Sequence, residues 1–173
     1  PLMAPGKVES GAIDRAAAAL KNGKRTALLL RGACLQRRGM QAAGRIAQAS
    51  GVRLMHDYFT PRMTRGEGLP EVERIPYFAE QAVECLQGLE QIVLVGAPPP
   101  VTFFAYPDKP SWLTPHGCDL ITLAGERDDA TGALEALADV LGARQAGHVV
   151  KRVIPEMPTH GALDAFTMGA IIA

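Results

Sequence analysis

Four short apolar runs restrict this chain to a narrow set of folds. Residues 26–31 are too short and too uniformly apolar for a surface helix, and 52–57, 91–96 and 119–124 read as further strands. Runs of this kind, bounded by turn residues, read as strands covered on both faces, which is the pattern of a parallel sheet. The stretches between them repeat at helical spacing instead. After Ser10, placed where an N-cap belongs, Ile13, Ala16, Ala17 and Leu20 fall on one face, and Asn22-Gly23 supplies a left-handed stop. Met40, Ala43, Ile46, Ala47 and Ala49 predict a helix over 37–50, and Ala79, Ala82, Val83 and Leu86 one over 76–86. Leu134, Leu137, Ala138 and Leu141 predict a fourth, capped by Asp128 or Asp129. Strands alternating with helices in this order give an open parallel α/β sheet with right-handed crossovers.

The remaining segments carry weaker signals. Residues 58–76, rich in Gly, Pro and Arg, are expected as a loop, and prolines bound a short extended segment within 97–107. Residues 143–160 read as a connector with one edge strand at 148–154. Near the end, Leu163, Phe166, Ala170 and Ile171 share a helical face, with no stop signal after them. Together with Pro1 in place of an initiator methionine, this leads us to expect a piece of a longer protein.

Composition removes whole classes of function. A 173-residue chain that is 47% hydrophobic and 21% charged is neither disordered nor fibrous. Cys34, Cys85 and Cys118 are too far apart for a metal knuckle or a disulfide framework, so a reducing, cytoplasmic setting is expected. No apolar run approaches the roughly 20 residues of a membrane span, and no secretory leader is visible. The net charge of zero hides an asymmetry: residues 1–65 hold 12 Lys and Arg against 3 Asp and Glu, and the rest hold 6 against 15. The fold either spreads this charge over its surface or gathers it into an anion site or a charged docking face. Nucleic acid is not expected as a partner, because no basic stripe is interleaved with aromatics.

Open α/β sheets bind ligands at the carboxyl ends of their strands. The candidate nucleotide contacts, if a nucleotide binds, are therefore Arg31, Gly32, Ala33, Gly96 and Ala97, with Arg37, Arg38, Arg62 and Arg65 able to add positive charge. The dinucleotide fingerprint GxGxxG is missing, and Gly66-Glu67-Gly68 lies in a loop with no strand before it. Ser10, Ser50 and Ser111 stand in no nucleophile turn, and Cys34 fits a small buried hydrophobe better than an activated thiol. His56, His116, His148 and His160 are scattered without metal-ligand spacing, so no metal is expected. Glu67, Glu71 and Glu73 read as a solvated loop rather than an acid/base pair. Phe103, Phe104, Tyr106 and Trp112 form either an apolar wall for a ligand or subunit, or a buried anchor for the Pro-rich loop.

Residues 66–81 (Gly-Glu-Gly-Leu-Pro-Glu-Val-Glu-Arg-Ile-Pro-Tyr-Phe-Ala-Glu-Gln), residues 95–111 (Val-Gly-Ala-Pro-Pro-Pro-Val-Thr-Phe-Phe-Ala-Tyr-Pro-Asp-Lys-Pro-Ser) and Gly161-Ala-Leu resemble thiamine-diphosphate enzymes of the acetolactate synthase and benzoylformate decarboxylase type. Acetolactate-synthase-like large-subunit proteins are the nearest match. The resemblance implies a three-layer, Rossmann-like domain of the DHS-like NAD/FAD-binding type, with a central parallel sheet of about six strands. It assigns residues 1–145 to the family's central domain, and 146–173 to the linker and first helix of the following pyrophosphate-binding domain. It further implies a parent that decarboxylates a 2-oxo acid or joins the product to a second carbonyl compound, using thiamine diphosphate and magnesium. Flanking domains of the same chain and a homo-oligomer are the implied partners. The family's activating Glu and its Gly-Asp-Gly metal motif have no counterpart here, so no catalytic residue carries over. Some family members bind FAD on this domain, but Arg31-Gly-Ala-Cys34 is poorer in glycine than theirs, and a vestigial cleft is expected. A domain holding FAD, CoA or another ADP-containing effector is the alternative.

Overall fold

The computed structural model describes residues 4–105, 107–145, 147–158 and 160–172. Five parallel strands, β1 Thr26–Leu30, β2 Arg53–His56, β3 Glu73–Arg74, β4 Gln91–Val95 and β5 Asp119–Ala124, form one sheet in the order β3-β2-β1-β4-β5. The helices are α1 Ala12–Lys21, α2 Arg37–Ser50, α3 Ala79–Leu86, α4 Ala130–Val140 and α5 Ala165–Ile172. Every residue of β1 and β4 is buried, which explains their uniform apolarity.

Side chains alternate between two unequal layers. Leu28, Leu30, Leu54, Val93 and Val95 meet α1, α2 and α4. Ala27, Leu29, Met55, Ile92 and Leu94 meet α3 and Leu113 of the long loop after β4. One face of the sheet therefore carries three helices. The other carries a single eight-residue helix and a loop.

The parallel α/β expectation holds, with corrections in detail. The sheet has five strands among the described residues, not about six. Between β5 and α4, Asp128 makes only an isolated parallel bridge with Gly6 and accepts the Gly125 N–H at 2.8 Å, and Asp129 accepts that of Gly132 at 2.9 Å, so the chain turns into α4 without a further strand. Of the predicted edge strand at 148–154, only Val150 pairs, through two backbone hydrogen bonds with Gly68 and Leu69. The expected loop 58–76 contains β3, whose two exposed charged residues show no apolar signal. The cap of α1 is Gly11 at φ +80, not Ser10, with no side-chain cap bond. Helix α3 begins at Ala79 rather than at 76, because Phe78 is still extended. Val101 and Trp112 form an isolated bridge in the Pro-rich stretch. Helix α5 buries none of its residues.

Candidate functional site

From the central β1 the chain proceeds through β2 and β3 to one side of the sheet, whereas β4 and β5 lie on the other. The order reverses between β1 and β4, the switch point where sheets of this kind open a ligand crevice. Arg31, Gly32 and Ala33 leave β1 there, and Gly96 and Ala97 leave β4. The five predicted contacts thus meet at one end of the sheet.

The strand ladders continue one residue past β1 and β4 at this end. The Arg31 N–H donates to the Val95 carbonyl at 3.1 Å, and the Gly96 N–H to that of Ala124 at 2.9 Å. Gly96 sits at φ +65, and a Cβ there would come within 2.9 Å of the Arg31 carbonyl oxygen and 3.4 Å of the Ala130 Cβ. Gly32 opens a four-residue 3₁₀ turn, Gly32–Leu35, rather than the first turn of α2, which begins at Arg37. The free N–H groups of α2 are therefore displaced from the strand end. Arg31 Nε lies 3.2 Å from an Asp57 carboxylate oxygen, so a negative charge already occupies its side of the opening. The Asp57 carboxylate beside Arg31 opposes a diphosphate at this end of the sheet.

Around this point the other candidates disperse. Arg38 makes a two-point pair with Glu135 at 2.8 and 3.1 Å, and Arg37, Arg62 and Arg65 are exposed on the surface. A groove of about 270 Å³ beside Arg31 and Asp57 is walled by Tyr58, Pro99 and Phe103. It falls short of the roughly 300 to 1,000 Å³ usual for small-molecule sites. The Tyr58 hydroxyl donates to the Val101 carbonyl at 2.7 Å, and burial pushes its pKa up.

Cys34 is fully buried, with Sγ 3.0 Å from the Arg31 carbonyl oxygen. Burial pushes its thiol up to about 12, so it behaves as the small hydrophobe its sequence context suggested. His56 is 3% exposed. Its Nδ1 lies 2.7 Å from the Asp57 carbonyl oxygen, an acceptor only, so Nδ1 is the nitrogen that donates. Nε2 is buried without a hydrogen-bond partner among the described residues, and burial lowers the pKa. Ser50 donates to the Ile46 carbonyl at 2.7 Å inside its own helix. Glu67 and Glu71 are exposed as expected. Burial raises the Glu73 pKa, but the Arg53 guanidinium at 2.6 Å and the Cys85 thiol outweigh it and hold the carboxyl below its ordinary value. Among the described residues no three His, Cys, Asp or Glu side chains gather to hold a metal ion, and no helix is long and apolar enough to cross a membrane.

The charge asymmetry resolves within the fold. Five of the eight ion pairs among the described residues join the basic first part to the acidic second: Lys24–Asp119, Arg25–Glu90, Arg38–Glu135, Arg45–Asp139 and Arg53–Glu73. At the amino ends of the strands, Lys24, Arg25 and Arg53 line a groove of about 370 Å³, yet each already has its carboxylate. The carboxyl ends of α1 and α2 reach the same groove at Gly23 and Gly51. Their partial negative charge opposes an anion.

What the sequence understated is the aromatic cluster. Phe103, Phe104 and Trp112 are about half exposed, and Leu113, 3% exposed, is the buried anchor of the loop instead. Tyr106 lies outside the described residues. The topology brings Phe59, from the loop after β2, within 4.7 Å of Phe103, and Tyr77 within 6.3 Å, measured between ring centroids. Tyr77 in turn meets Phe78, and Phe103 meets Phe104, edge to face. No spacing in the sequence links these three loops.

Fold and switch point together define a Rossmann-like α/β domain. No protein-family profile matches the chain. In sequence it is 42% identical over 143 residues to a Mycobacterium tuberculosis (strain ATCC 25618 / H37Rv) protein named provisionally as an acetolactate synthase large subunit, IlvX, covering 83% of this chain and 28% of that one. In structure it matches a Rhodococcus jostii RHA1 thiamine-diphosphate-dependent 4-hydroxybenzoylformate decarboxylase with a TM-score of 0.65 at 18% identity, over 94% of this chain and 33% of the other. A benzoylformate decarboxylase from Polynucleobacter necessarius gives 0.63 at 15% identity, over 96% and 34%. The chain is thus similar in sequence to part of an acetolactate synthase large-subunit-like protein and shares the fold of part of thiamine-diphosphate-dependent decarboxylases. It spans about a quarter to a third of the length of these relatives.

Proposed function

We propose that this chain is the non-catalytic central domain of a thiamine-diphosphate-dependent 2-oxo acid decarboxylase or carboligase of the cytoplasm, and that it supplies scaffold and oligomer contacts. The observation that carries this reading is the extent of the match: 83% of the chain aligns with only 28% of an acetolactate-synthase-like relative. The side chains agree with it. Cys34 is held far from ionisation, His56 is buried, and Arg31 is already paired with Asp57. In the whole enzyme, thiamine diphosphate and magnesium would supply the carbanion chemistry from other domains. This chain lacks the Gly-Asp-Gly motif, so its own residues position neighbours and do not touch the reacting atoms.

The test is direct. The 173-residue protein is titrated with thiamine diphosphate and Mg²⁺ in a calorimeter and assayed with pyruvate and with benzoylformate. No heat of binding and no turnover are expected. Measurable decarboxylation would overturn the assignment, and flavin absorbance in the purified protein would favour an ADP-moiety site at Gly32 and Gly96 instead.

A further inference from the structure

A cleft on the three-helix face of the sheet plays no part in the scaffold reading. It lies where the loop from β2 to β3 folds back beside α2. Its floor is Met40 of α2 and Leu54 of β2, both buried, and Met63 and Val72 of the loop stand against them. At about 690 Å³ it falls within the range of small-molecule sites, which the groove beside Arg31 does not reach. The loop that walls it is tied down on both sides. The Thr64 N–H donates to the Leu35 carbonyl at 2.9 Å. Farther along, the Gly68 N–H donates to the Val150 carbonyl at 3.0 Å and the Val150 N–H to that of Leu69 at 2.9 Å, which brings the connector into the wall. The cleft is therefore formed before any ligand arrives.

Four charged side chains line this cleft, and two of them neutralise each other: Arg53 and Glu73, 2.6 Å apart. The other two, Arg65 and Glu71, are exposed, and neither side chain makes an ion pair or hydrogen bond among the described residues. A ligand of one sign that approaches either of them meets the opposing charge of the other. A zwitterion satisfies both. We propose that this cleft binds a free aromatic α-amino acid, its carboxylate on Arg65, its ammonium on Glu71 and its ring on Met40 and Met63. The guanidinium fork suits a carboxylate, which it can hold through two parallel N–H···O bonds. The thioethers select the side chain. Sulfur makes favourable contacts with aromatic rings, and unbranched methionine adapts to their shape, which favours a ring over a branched aliphatic group. None of these residues belongs to the strand-end site at Arg31 and Gly96, so the inference stands apart from the question of a nucleotide there.

The experiment is a backbone-amide NMR titration of the 173-residue chain with L-phenylalanine, and with 3-phenylpropionate and phenethylamine, which each keep the ring and one of the two charges. Saturable shifts are expected at Met63, Arg65, Val72 and Val150 below about 10 mM phenylalanine. Both analogues should bind at least tenfold more weakly, the scale of one lost charge-assisted hydrogen bond. Arg65→Gln should weaken phenylalanine at least tenfold and leave phenethylamine unchanged. Glu71→Gln should weaken it equally and leave 3-phenylpropionate unchanged. Asp14→Asn, on the exposed side of α1, should alter none of these affinities. All three substituted side chains are exposed, and the amide spectrum itself reports that each variant is folded. The absence of saturable shifts, shifts confined to another surface, an analogue that binds as tightly as phenylalanine, or phenylalanine binding that survives either Arg65→Gln or Glu71→Gln would each overturn the proposal.

Discussion

Gly96 is where the close approach of the β1 and β4 ends can be weighed. It shares its φ of +65 with Gly142, which follows α4, but the two differ in surroundings. A Cβ at 142 meets nothing within 4 Å, whereas one at 96 comes within 2.9 Å of the Arg31 carbonyl oxygen. Alanine at either position bears the cost of a left-handed conformation, about 1–2 kcal/mol. Each also stiffens the unfolded chain by a similar amount, about 0.4–1 kcal/mol, so this contribution cancels in the comparison. Only Gly96→Ala must also push the ends of β1 and β4 apart, and overpacking of that kind costs about 1–3 kcal/mol. Urea denaturation of both variants should therefore place Gly96→Ala about 1–3 kcal/mol below Gly142→Ala with unchanged m values. In a domain of this size that corresponds to a melting difference of roughly 2–12 °C. Equal losses in the two variants would refute the claim that the strand ends touch too closely at Gly96 to admit a Cβ.

Three further outcomes are expected. His56 has a folded pKa below its ordinary 6.5, so as the pH falls below 6.5 the unfolded chain takes up a proton that the buried ring refuses. Stability should drop between pH 7 and 5, and a His56→Gln variant should show a flatter profile over the same interval in pH-dependent chemical denaturation. With its thiol pushed up to about 12, Cys34 should resist iodoacetamide at pH 8 until the protein is unfolded, as read by peptide mass spectrometry; rapid native labelling would contradict its burial. Asp129→Ala should cost about 1 kcal/mol by removing the cap of α4, while Ser10→Ala should change thermal stability by less than about 0.5 kcal/mol.

The layers were legible because burial on both faces forces the strands to be uniformly apolar. Leu28 and Leu29 could not have been otherwise with helices on one side and α3 on the other. The predicted span 37–50 matches α2, whose end is marked by Gly51. The cap of α1 was misread because Ser10 and Gly11 both suit a helix start, and only the backbone geometry shows which one turns. β3 was invisible because Glu73 and Arg74 owe their strand conformation to pairing with Met55 and His56, not to any pattern of their own. At the site, Gly32 and Gly96 were found from the rule that ligands bind at strand ends. The carboxylate beside them was not, since it depends on Asp57, from the end of β2, reaching Arg31. The aromatic surface stayed hidden for the same reason: Phe59 and Phe103 are 44 positions apart in the chain, and the fold makes them neighbours.

The ion pairs that stitch early residues to late ones also determine how the protein would respond to being split. A nick between Arg65 and Gly66 would release one piece carrying nine excess positive charges and another carrying nine excess negative ones. The seam between β1 and β4 is buried and apolar, but its approach is bordered by cations on one fragment and anions on the other. Such halves would find each other quickly in dilute buffer and slowly in brine, making reassembly of this domain a salt-tuned event.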